Sequence, residues 1–129
     1  MPVGVSTVNV ANQILEWLRG TVPSVAPAGL FVKLHTGDPG GAGTAASSAV
    51  TTRRQATMNT AAGGAITLNA MSGSWAMTTS ETITHISVHD AATAGNFLIS
   101  AQLTTPRSVA NGDTLTMTSL VIGNTPIAS

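Results

Sequence analysis

From residue 30 onward, apolar side chains recur at every second position. Val32 and Leu34 alternate with Phe31, Lys33 and His35; Ile66 and Leu68 with Thr67 and Asn69; Ile86 and Val88 with His85, Ser87 and His89. Phe97, Ile99, Ala101 and Leu103 alternate with Leu98, Ser100 and Gln102, and Leu115 and Met117 with Thr114, Thr116 and Thr118. A period of two predicts half-buried β-strands. The many threonines suit them, since a branched Cβ favours extended backbone while the hydroxyl tolerates water.

The first twenty residues follow a different period. In "STVNVANQILEWLRG", Val8, Ala11, Leu15 and Leu18 fall at helical spacing, with Val10, Ile14 and Trp17 on an adjoining stripe. The spacing predicts one α-helix over 6–20, capped by Ser6 or Thr7 and stopped by Gly20 and Pro23. Its apolar arc is wide enough to require a surface to lie against.

Turn signals separate the strands: "TGDPGGAG" at 36–43, "AAGG" at 61–64, "MSGS" at 71–74, "DAATAGN" at 90–96, "ANGD" at 110–113 and "GNTP" at 123–126. Six to eight short strands with no helix between them predict a mainly β fold. The expected form is an antiparallel β-sandwich or jelly-roll-like barrel with one N-terminal helix. At 129 residues the chain is expected to be a single domain over 1–129. Segment 36–52, rich in Ala, Ser, Gly and Thr, is expected to be a long, mobile surface loop.

Composition narrows the function. Only 8% of residues are charged, and five basic and five acidic residues cancel, against a usual charged share of about 25%. No basic footprint for nucleic acid is visible. A neutral surface of small side chains suits a part of an assembly better than a free protein at high concentration. The lack of cysteine excludes disulfides and thiolate metal sites. Neither a leader pattern nor an apolar run long enough for a membrane span is seen, so the chain is expected to be made and folded in cytoplasm.

Candidate chemistry is thin. "HTGDPGGAG" lacks the lysine, hydroxyl and following helix of a phosphate loop, whereas Asp38-Pro39-Gly40 has the chemistry of a turn. His35, His85 and His89 could be zinc ligands, but residues four apart on a strand are separated by about 13 Å. Those histidines are better placed as polar-face or loop hydrogen bonders. No G-x-S-x-G elbow occurs, and the carboxylates are dispersed, with Asp90 and Asp113 in turns. We therefore expect no catalytic, cofactor-binding or metal residue and no small-molecule substrate. Trp75 is expected in the core. Ile14, Trp17, Leu18, Arg53 and Arg54 are the candidate protein-interface residues, because tryptophan and arginine are enriched where interfaces bind most tightly.

Five stretches in order, "ILEWLRGT", "LFVKLHTGDPGGAGTA", "TRRQATMNTAAGGA", "SWAMTTSETITHISVHDAATAGNFLISAQLT" and "RSVANGDTLTMTSLVIG", resemble a family of small virion proteins of tailed bacteriophages. Its members are variously labelled tail fibre, minor tail or capsid-associated proteins. His89 departs from the larger apolar or aromatic residue expected there. The resemblance implies a β-rich structural protein of the virion without enzymatic activity. The expected role is a decoration or minor capsid protein binding the major capsid protein, in small homo-oligomers. The alternative is a tail or tail-fibre component touching the host, and the remote one a metal-dependent or carbohydrate-active enzyme.

Overall fold

The structure, a computed structural model, describes residues 3–21 and 26–123. Pro23 and the Asn124–Pro126 part of the last turn signal lie outside the described residues.

Among the described residues eight strands form, at Leu30–His35 (β1), Arg54–Met58 (β2), Ala65–Met71 (β3), Trp75–Ala76 (β4), Glu81–His89 (β5), Phe97–Val109 (β6), Thr114–Leu115 (β7) and Val121–Gly123 (β8). The fold is mainly β and antiparallel. Six strands make one sheet in the order β6-β5-β1-β2-β3-β8, and β4 pairs with β7 in a short ribbon. The sheet rolls over: Ile99 and Ala101 of β6, at one end, line a cavity of about 190 Å3 together with Leu120, Val121 and Ile122 at the other. The result is a sandwich-like partial barrel.

Register follows the alternation in sequence. Val32 lies opposite Val88 and Leu34 opposite Ile86, and these four turn inward onto Ala56, Trp75, Met77 and Ile83 to form the buried core. The intervening pairs, Phe31 with His89, Lys33 with Ser87 and His35 with His85, occupy the opposite face. Ile83 and Ile86 are three apart, yet both reach the core. A regular strand forbids this; the register shift between Ile83 and His85 absorbs the odd residue. Opposite it, Leu103–Pro106 bulge out of β6, where the missing N–H of Pro106 costs no ladder bond.

The helix expected over 6–20 forms at Thr7–Leu18 in two parts: a π-turn, Thr7–Ala11, and an α-helix, Asn12–Leu18 (α1). Ser6 caps it, its Oγ accepting from the Asn9 N–H at 3.3 Å. The end is a Schellman motif: Gly20 at φ +99° donates to the Trp17 carbonyl, and Thr21 to that of Glu16. Residues before the helix add to the edge of β6, with Ser6 N–H on the Leu98 carbonyl and Ser100 N–H on that of Gly4. Packing of the helical segment on the sheet comes from the π-turn against β6. No residue of either part is buried, and Ile14, Leu15, Trp17 and Leu18 of the apolar arc stay exposed among the described residues.

Candidate functional site

On the polar face of the central strands, three buried side chains are joined in a row. His35 and Ser87 have no exposed surface and His89 almost none. His35 Nδ1 lies 2.7 Å from the Ala45 carbonyl, and its Nε2 lies 2.7 Å from Ser87 Oγ. Ser87 Oγ lies in turn 2.9 Å from His89 Nε2. A carbonyl only accepts, which sets the direction of the whole relay. His35 carries its hydrogen on Nδ1 and accepts at Nε2 from the Ser87 hydroxyl, whose oxygen accepts from the His89 Nε2–H. The atoms that meet in the row are thus all paired while both rings are neutral.

The cover over this face is segment 36–48. Thr36 N–H bonds the Ala46 carbonyl and Ser48 N–H that of Leu34. Asp38 Oδ1 accepts from the Gly40 N–H at 2.8 Å, the turn expected from Asp-Pro-Gly; this bond is the main reason its carboxyl is held below the usual range. Pro39, Gly43 and Ser48 are buried. The segment expected to be mobile is therefore tied along its length, because its small residues let backbone approach the strands closely. "HTGDPGGAG" forms part of a lid whose backbone is bonded within itself and to the His35 imidazole.

Gly43 shows how close that approach is. At φ +69°, its missing side chain leaves space filled by the Phe97 ring, and Phe97 packs tilted on His89 with centroids 5.8 Å apart. Gly43→Ala is expected to lower stability by about 2 to 3 kcal/mol, combining left-handed strain with displacement of the ring. Gly63→Ala has a similar φ of +60° but open space around it, and should cost only about 1 kcal/mol. Urea unfolding of the two variants measures the difference; equal losses would mean that the ring contact contributes nothing.

Burial holds both histidines in the neutral form. Desolvation is the largest influence on each. For His89 the cations Arg53 and Lys33 add to it and bring its pKa down to about 4. A serine donating to an imidazole is the first half of a nucleophilic pair. Here, however, the serine has no exposed surface to meet a substrate, and the far nitrogen of the imidazole it donates to meets the Ala45 carbonyl, where a triad has a carboxylate to orient the base. Chemically the row is a latch between sheet and lid. His85 stands apart from it, with Nδ1 2.7 Å from Thr84 Oγ1, and among the described residues no three His, Cys, Asp or Glu side chains gather as metal ligands.

The five carboxylates are similarly engaged in structure. Besides Asp38, Glu81 accepts from the Ser48 hydroxyl and the Ala49 N–H. Asp90 takes two bonds from Asn96, Asp113 closes its turn on the Ala110 N–H, and Glu16 pairs with Arg19. An open cleft of about 280 Å3 lies under the β6 bulge, with Leu34, Trp75 and Ile86 among its lining and Thr105, Arg107 and Thr116 also contributing. No carboxylate or imidazole lines it, so it has no acid–base pair of the glycosidase kind.

Of the candidate interface residues, Ile14, Trp17 and Leu18 are exposed, together with Leu15. Arg53 and Arg54 are half-buried on the sheet. One Arg53 Nη1 donates to the carbonyls of Ala91 and Ala94, at 2.8 and 2.7 Å, and Arg54 Nε to that of Ser74 at 2.9 Å. Both arginines brace loops of their own chain. Sequence alone does not show the buried relay: His35, Ser87 and His89 all fall at non-core positions of their strands, and only the β1–β5 register brings His35 beside Ser87.

What the rolled sheet, the latched lid and the carboxylates tied into turns define is a β-rich structural domain with an apolar helix face exposed among the described residues. The family comparison agrees: residues 4–123 match the model of the family described as podophage GP4 fiber I protein gp80. The chain belongs to this family of bacteriophage structural proteins. No curated protein matches it.

Proposed function

We propose that this chain is a fibre component of a bacteriophage virion, a non-catalytic building block held in place by contacts with other virion proteins and with copies of itself. The observation that carries the reading is the family match, which spans nearly the whole chain under a fibre description. The neutral, charge-poor surface fits the role, since closely packed copies then repel one another little. On this reading Ile14, Trp17 and Leu18 are contact residues, with Arg53 and Arg54 shaping the loops beside the sheet. Among the described residues no helix is long and apolar enough to cross a membrane.

The fibre description favours this role over the decoration of the capsid surface expected from sequence. Electron cryo-microscopy of virions carrying an epitope-tagged chain distinguishes them. Label confined to fibres in a few copies per particle is the expected result. Label spread over the capsid lattice in near-stoichiometric number would replace the fibre reading with the decoration one.

A further inference from the structure

We propose that α1 is a self-association element: copies of this chain pack their N-terminal helices together through the face bearing Ile14, Leu15, Trp17 and Leu18. The proposal rests on the reading of the domain as part of an assembly, and names the surface and the partner.

Three features of the structure point to it. The first is area. Ile14, Leu15, Trp17 and Leu18 are between 42% and 68% exposed, leaving on the order of 500 Å2 in water, within the range of a monomer's largest apolar patch. Two such faces brought together approach the roughly 1,200 Å2 of total burial at which specific protein interfaces begin. Helical spacing places Ile14, Trp17 and Leu18 on one side with Leu15 at its flank, so the patch is continuous.

The second is the helix itself. A five-residue π-turn and a seven-residue α-helix are shorter than the roughly 12 to 15 residues at which isolated helices become even marginal in water. Ala11 gives the α-helical part no side-chain cap, and none of its residues is buried. A helix this short is ordered by what it packs on, and among the described residues its main contacts with the sheet are those of the π-turn on β6.

The third is charge. Glu16 and Arg19, the charged side chains of this segment, pair with each other at 2.7 Å. The apolar face is therefore flanked by a neutralised pair, with nothing to select a charged partner. It also lacks the basic polar face of a helix that lies on membranes. A second copy, itself of zero net charge, meets no repulsion and offers the same apolar face in return.

The test uses the full chain. Sedimentation equilibrium of the purified protein should show association at micromolar concentration. Leu18→Glu should weaken it at least tenfold while leaving the unfolding midpoint of the β domain unchanged, since Leu18 is exposed in the monomer. Because the chain has no cysteine, a single Ile14→Cys can cross-link only between copies. Oxidation should give covalent dimers, and Thr67→Cys on β3 should not.

Three results would overturn the proposal: a monomer up to about 100 μM, equal association by wild type and Leu18→Glu, or a monomer that co-sediments with phosphatidylcholine vesicles through this helix. Any of these, with the protein still found on virions, would leave the structural role standing. Absence from virions would remove that role without touching the helix result.

Discussion

Trp75→Ala is expected to destabilise the domain by about 3 to 5 kcal/mol, the usual cost of deleting a fully enclosed large aromatic side chain. Trp75 is 1% exposed and sits on the two-residue strand β4, opposite Leu115 of β7. Its indole Nε1–H bonds the Thr52 carbonyl at 2.9 Å, so truncation empties space against Leu34 and Ile86 and leaves a carbonyl without its donor. Domains of this size are stable by only about 5 to 15 kcal/mol, so the loss is a large share of the total. Trp75→Phe, which keeps most of the ring volume, should cost less than half as much. Urea denaturation followed by circular dichroism measures both, and a loss below about 1.5 kcal/mol for alanine would show that the short ribbon is peripheral to the core.

Acid should loosen the same domain by a separate route. The histidine relay is satisfied only while His35 and His89 are neutral, and the folded protein holds His89 at about 4 against about 6.5 in an unfolded chain. Between those values the unfolded state binds more protons, so the stability contribution is complete above pH 6.5 and falls as pH drops towards 4. The loss for His89 amounts to about 3 kcal/mol over that window, and His35, lowered in the same direction by burial, adds to it. Arg53 and Lys33 bring positive charge to this site and Asp90 only a small opposing influence. Asp38 and Asp90 are also lowered, but carboxylates depressed below 3.8 release their stabilisation only beneath that pH.

Thermal unfolding at pH 7, 5.5 and 4.5 should show a steady fall. His89→Gln, which keeps a neutral N–H donor facing Ser87, should flatten much of it. An unchanged slope in that variant would assign the acid sensitivity elsewhere.

Much of the fold was legible in local pattern because alternation is a local property. β1, β3 and β5 appear where Val32 and Leu34, Ile66 and Leu68, and Ile86 and Val88 predicted them, and the helix stops at Gly20 through backbone bonds that a positive φ permits. Other features depend on partners far along the chain. The strand expected over Thr114–Thr118 pairs only at Thr114–Leu115; beyond it Thr116 Oγ1 bonds Ser74 Oγ while Met117 packs on the core as irregular chain. β6 runs past Leu103 to Val109 because a bulge lets it rejoin β5. The relay was hidden for the same reason: Ser87 stands between His35 and His89 only once β1 and β5 align. His89, where the resemblance implies a larger apolar or aromatic residue, is accommodated because Ser87 takes its N–H and Phe97 its ring.

The anchor of the N-terminal segment is supplied late in synthesis. Ser6 and Asn9 hold the carbonyls of Leu98 and Phe97, groups that leave the ribosome some ninety residues after the helix does. A nascent chain therefore has a sticky end with no fixed bearing, and only a finished barrel points it in one direction. On the role proposed for α1, the pose in which copies meet is thus fixed only once β6 has been made and folded.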